Sequence, residues 1–103
     1  QPKQILNKTN GVTPRRWIKC CNPWLADIYD KYIGSDSNWV VDLDKTHALS
    51  LRSMDAKLQK EWQIMKQHCK KRLARWVLKN CEFKIPEDAI YDVQVKRIHE
   101  YKR

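Results

Sequence analysis

Lys96, Arg97, Lys102 and Arg103 crowd the stretch DVQVKRIHEYKR, residues 92–103, and together they could hold an anion. The guanidinium of Arg97 offers a planar fork that fits two phosphate oxygens, and Lys96 and Lys102 can act as point charges around it. The alternative is a solvated basic turn, which charge alone favours. A second chemical candidate is Asn10, whose amide supplies donors and an acceptor suited to a sugar hydroxyl. The Asn10-Gly11 pair also reads as a plain Asx turn, and the sequence by itself favours that.

These residues need a frame. Tyr91, Val93 and Val95 alternate with Asp92 and Gln94, the period of a strand with one buried face. Lys96 and Arg97 then fall at its carboxyl edge, where open α/β sheets collect their ligands. Pro86, Glu87 and Asp88 form the turn that precedes it. A lone strand cannot satisfy its backbone, and parallel neighbours need crossover connections that this sequence does not contain. With Gln1 rather than Met at the start, the expectation is a piece cut from a longer protein.

Between the two candidate sites the pattern predicts three helices. Asn22 caps the first, Pro23 sits in its first turn and Gly34 ends it, with Leu25, Ile28, Tyr29, Tyr32 and Ile33 as its apolar stripe. A polar loop, residues 35–38, leads through Trp39, Val40 and Val41 to a shorter helix capped by Asp42 or Asp44 and carrying Leu43, Leu49 and Leu51. The third is expected from near Ser53 to about Lys79. Its stripe is Leu58, Trp62, Met65, Cys69, Leu73 and Trp76, and its other face carries Lys57, Lys60, Lys66, Lys70, Lys71, Arg72, Arg75 and Lys79. Such a face could follow a phosphate backbone, so a small basic module binding nucleic acid or another polyanion is the rival reading. The tryptophans sit on the apolar side, placed for packing rather than for stacking on bases, which favours a solvated face. Thr13-Pro14-Arg15-Arg16-Trp17 reads as extended, its arginines binding anions or making salt bridges.

Composition sets wider limits. A chain of 103 residues is at most one small domain, able to bury roughly two-thirds of its unfolded surface. Lys plus Arg outnumber Asp plus Glu by 21 to 12, and the net charge of +9 favours anionic partners without choosing among them. No apolar run would span a membrane and no secretory leader opens the chain. Cys20 and Cys21 are adjacent while Cys69 and Cys81 stand apart, with no C-x-x-C pair, which suits a reducing, cytoplasmic setting and a chain without a metal site.

Taken together, NKTNGVTPRRW at residues 7–17 and DVQVKRIHEYKR at residues 92–103 resemble the α-glucan phosphorylases, the family of glycogen, starch and maltodextrin phosphorylases. The likeness covers almost the whole chain and is weaker over residues 35–87. It implies an enzyme that transfers the terminal glucose of an α-1,4-glucan to orthophosphate, giving glucose 1-phosphate, with pyridoxal 5'-phosphate acting through its phosphate group. It also implies that Arg97 and Lys102 hold the substrate phosphate, that Lys96 lies near the cofactor phosphate, that Asn10 binds glucose, and that His99, Glu100 and Tyr101 support the loop. Trp24 departs from the small residue usual there, and Lys19-Cys20-Cys21 replaces a mostly aliphatic run. These departures bear on packing and leave the chemical residues untouched.

The resulting expectation is a mainly α segment with one terminal β-strand, part of a two-lobed α/β glycosyltransferase of GT-B type with Rossmann-like lobes. Residues 1–17 would end the N-terminal lobe, residues 18–88 would open the C-terminal lobe with helices, and residues 89–103 would give its first strand and phosphate loop. The family's Schiff-base lysine is expected outside this chain, so the segment alone would be inactive. Its parent would be a cytoplasmic homodimer binding neither nucleic acid nor membrane.

Overall fold

A computed structural model describes Gly11 and residues 13–96 of the chain. Within them the regular elements are a π-helical segment Arg15–Cys20, helix α1 at Pro23–Ile33, 3-10 turns at Ser35–Ser37 and Leu43–Thr46, the short helix α2 at His47–Ser50, and helix α3 at Ala56–Cys81. The chain divides into two compact units, residues 1–65 and residues 66–103.

In the first unit, α1 forms where its punctuation predicts. The Asn22 side chain accepts from the Leu25 N–H at 3.2 Å, which satisfies a donor that the first turn leaves without an intrahelical partner. Pro23 occupies the first helical position, where its missing N–H costs nothing. The helix stops at Gly34, whose φ of 109° is closed to residues with a β-carbon. Ala26, Ile28 and Tyr32 are buried along one side of α1, and Leu25, Tyr29 and Ile33 are half-buried.

The core of this unit centres on Trp39, 1% exposed. Tyr29 meets its ring edge-on at 4.9 Å and stacks at 6.5 Å on Trp62 of α3. Leu58 and Met65 complete the buried set on the first half of α3. Pairs of this kind add roughly 0.5–1.5 kcal/mol beyond area burial. The helix itself starts at an Asp55 cap, whose Oδ1 accepts from the N–H groups of Lys57 and Leu58.

Several expectations need correction. Residues 13–17 are not extended throughout: Pro14 is helical at φ −61° and ψ −36°, and the Arg16 and Trp17 N–H groups both donate to Thr13 O. Proline constrains the residue before it and is well suited to begin a helix, so the turn begins one residue after the constraint. The second helix is a 3-10 turn followed by one α turn, and Asp42 precedes it without a side-chain cap bond. The third starts two to three residues later than Ser53.

In the second unit, the later half of α3 runs to Cys81 and residues 82–96 follow without regular secondary structure, apart from a turn at Glu87 and Asp88. Ala74 is buried, while Leu73, Trp76 and Leu78 are exposed. The expected strand at residues 89–95 is not formed among the described residues: Val93 and Val95 are 67% and 92% exposed. Alternation marks which face a strand would bury, but the strand itself requires a hydrogen-bonded neighbour. Near the turn, Ala74 and Leu78 line a cleft of about 200 Å³ with Ile85 and Pro86.

Candidate functional site

Of the residues expected to do chemistry, the structure describes Lys96, which is exposed. Asn10, Arg97, His99, Glu100, Tyr101, Lys102 and Arg103 lie outside the described residues. The geometry on view is therefore that of the segment leading to the basic cluster, and it centres on Lys70. This side chain is half-buried. Its Nζ donates to the Ala89 carbonyl at 2.7 Å and lies 5.3 Å from the centre of the Tyr91 ring. A charge-assisted bond and a cation–π contact thus meet on one ammonium, and both partners belong to the approach to Lys96.

Sequence reasoning placed Lys70 on the solvated basic face of α3 with Lys66 and Lys71, and that assignment is wrong for this one residue. Lys66 and Lys71 are exposed. Lys70 precedes the buried Ala74 by one helical turn, which puts both on the same face. A lysine one turn from a small buried residue, in a helix followed by a Pro-containing turn, was the available signal. Charge type pointed the other way, because lysine is mostly found in water.

Several other charged groups of the described residues form structural pairs. Asp30 accepts from Lys19 at 2.8 Å on Oδ2 and from the buried Trp39 indole at 2.7 Å on Oδ1. The Lys19 ammonium, and after it the Trp39 N–H, hold the Asp30 carboxyl below the usual aspartate range. Lys31 and Glu61 pair at 2.6 Å, which lowers the Glu61 carboxyl and raises the Lys31 ammonium. Both pairs face solvent, where such contacts are worth little. Arg15 and Arg16, the other anion candidates, are exposed on the π-helical segment.

An apolar cleft of about 470 Å³ opens in the first unit between Tyr29, Leu49, Leu58 and Trp62. Its polar rim, Ser50, Gln59 and Gln63, offers hydrogen bonds and no charge. Its lining carries hydroxyls and amides but no carboxylate, lysine, arginine, histidine or thiol. Cys20, Cys21, Cys69 and Cys81 are free thiols. Among the described residues no cluster of His, Cys, Asp or Glu is arranged to hold a metal, and no helix is long and apolar enough to cross a membrane.

Comparison with known proteins bears on the residues that geometry leaves open. A family model described as carbohydrate phosphorylase matches residues 1–103. The chain is 46% identical over 102 residues to glycogen phosphorylase 2 of Dictyostelium discoideum, covering 99% of the chain and 10% of that protein. It is 46% identical to the H isozyme of alpha-glucan phosphorylase from Triticum aestivum and 44% identical to alpha-glucan phosphorylase 2, cytosolic, of Arabidopsis thaliana, covering 99% of the chain and 12% of each. The chain spans about a tenth of the length of the curated relatives it matches. Relatives of this kind are carbohydrate enzymes, and the nucleic-acid reading of the basic helix gains no support from them. With a family model matched from end to end and relatives at this identity across nearly every residue, the chain belongs to the carbohydrate phosphorylase family.

Proposed function

We propose that this chain is a segment of an α-glucan phosphorylase, which transfers the terminal glucose of an α-1,4-glucan to orthophosphate and releases glucose 1-phosphate. The observation that carries the reading is the family match over residues 1–103, which takes in both the Asn10 stretch and the Lys96 to Arg103 stretch. In this reading the fold is a piece of a GT-B enzyme. Residues 1–17 end one lobe, residues 18–88 open the next, and residues 89–103 gain their strand pairing from sheet partners elsewhere in the protein. The whole enzyme is a cytoplasmic homodimer, and the segment alone is inactive.

Arg97 and Lys102 bind the substrate phosphate and Asn10 hydrogen-bonds the glucose. Lys96 carries an exposed ammonium at the end of the described chain, a donor of the right charge for a second phosphate. Pyridoxal 5'-phosphate, when bound, supplies a phosphate group that relays a proton. The chain's own task is electrostatic: two phosphates that must approach each other repel, and Lys96, Arg97 and Lys102 offset that repulsion with fixed positive charge. His99 and Tyr101 support the loop that carries them.

Phosphate-dependent release of glucose 1-phosphate from glycogen by the full-length protein tests the reading. Turnover that disappears when orthophosphate is omitted is the expected result. An intact, folded protein with no such turnover would end it.

A further inference from the structure

We infer that Lys70 is a positioning residue for phosphate binding: its ammonium ties the backbone at Ala89 and the ring of Tyr91 to α3, and so sets where Lys96 and the cations after it are presented. The inference rests on the phosphorylase reading above. Its structural ground is separate from that reading, since Lys70 Nζ donates to Ala89 O at 2.7 Å and lies 5.3 Å from the Tyr91 ring centre.

Among the described residues, 89–96 form no ladder or helix; the sheet partners proposed above would pair this segment but would not set where it begins relative to α3, which the Lys70 contacts do. The Ala89 carbonyl takes its hydrogen bond from a side chain on α3, across a turn made by Pro86, Glu87 and Asp88. Two attachments, two residues apart, fix both the position and the direction in which the chain leaves Tyr91. From there Lys96 is only five residues on, a reach of at most about 18 Å of extended chain, and Arg97 follows it directly. Loosening the anchor frees the start of this segment, and phosphate contacts that depend on fork geometry are sensitive to misplacement of about 1 Å.

Lysine meets both demands in a way that few residues can. Its compact charge serves a carbonyl and a π face together. Arginine keeps the charge and the donors. Methionine keeps the stem and loses both contacts.

The test is steady-state kinetics on the full-length phosphorylase carrying Lys70→Met, Lys70→Arg or Arg97→Ala, with orthophosphate and glycogen varied separately. Lys70→Met should raise KM for orthophosphate about tenfold or more while KM for glycogen moves less than about twofold, and Lys70→Arg should recover most of the loss. A merely structural role would lower the amount of active enzyme and leave KM for orthophosphate where it was. That result in folded Lys70→Met enzyme, or equal damage from Lys70→Arg, overturns the inference. Should Lys70→Met fail to fold, Tyr91→Leu removes the π face alone, and an unchanged KM for orthophosphate in that variant also overturns it. Arg97→Ala separates the two levels: if it retains full activity the phosphorylase assignment of the cations fails and the tether's role falls with it, whereas lost activity there beside normal Lys70→Met kinetics sinks the tether alone.

Discussion

The indole N–H of Trp39 donates to Asp30 Oδ1 at 2.7 Å, so the most buried aromatic side chain of the first unit is satisfied by a carboxylate on α1. The second oxygen of that carboxylate accepts from Lys19 at 2.8 Å. Lys19 belongs to the π-helical segment, and its ammonium also lies 5.8 Å from the Trp39 ring centre. Asp30 is thereby the joint between the π segment, α1 and the loop that carries Trp39. An apolar ring with a single donor can be buried cheaply only if that donor has a partner.

Removing the partner should therefore cost more than removing a surface charge. Asp30→Ala leaves a buried N–H unsatisfied and is expected to destabilise the chain by about 1–3 kcal/mol, while Asp30→Asn keeps an acceptor oxygen and should cost well under half of that. Urea denaturation followed by tryptophan fluorescence measures both. Equal losses from Ala and Asn would mean that the charge pair with Lys19, rather than the indole bond, carries the effect.

The same carboxylate predicts an acid limb. Asp30 titrates below its ordinary value of 3.8, held there first by Lys19 and then by Trp39, and Glu61 titrates below 4.5 because of Lys31. Groups lowered on folding contribute stability that is present above the unfolded value and lost as pH falls through the folded one. Through these two groups stability should therefore be lost as pH falls, below about 4.5 for Glu61 and below about 3.8 for Asp30. In Asp30→Asn the decline should be shallower. A variant whose acid limb matches the wild type would assign the decline to other carboxylates.

Gly34 ends α1 at φ 109° and ψ 132°, with open space around the position a β-carbon would take. The obstacle to a side chain is thus the backbone and not a neighbour. Gly34→Ala is expected to cost about 1 kcal/mol or more in thermal or urea unfolding, despite the room available. A neutral or stabilising result would show that the helix can end in another conformation at this position.

How much of this was legible depended on whether a feature is local. The first helix was readable because Asn22, Pro23 and Gly34 act through their own backbone. The start of α3 was misplaced because Ser53 and Asp55 are both good caps, and only the two bonds to Asp55 Oδ1 decide between them. The π-helical segment was missed because Thr13 before Pro14 does read as extended, and nothing in the letters marks where that constraint stops. The strand at residues 89–95 depends on partners that the pattern cannot supply. For the proposed site, DVQVKRIHEYKR supplies the candidate cations, whereas Lys70, which contacts the approach to Lys96, was concealed among the basic residues of α3.

Of the proposed phosphate contacts Lys96, Arg97 and Lys102, only Arg97 carries a planar guanidinium fork, which makes its proposed role distinguishable from that of a mere charge. In the full-length enzyme Arg97→Ala should lower kcat/KM for orthophosphate by about two to four orders of magnitude, because a preorganised donor is lost where charge develops. Arg97→Lys keeps the charge but offers one point in place of two parallel N–H donors, so it should restore only part of the loss. Comparing kcat with KM for orthophosphate in the two variants locates the deficit: a fall in kcat at unchanged KM places the guanidinium's effect in the transition state, and a raised KM alone places it in ground-state binding. Full activity in Arg97→Lys would show that a point charge suffices there, and the bidentate role would have to be given up even if the phosphorylase reading stood.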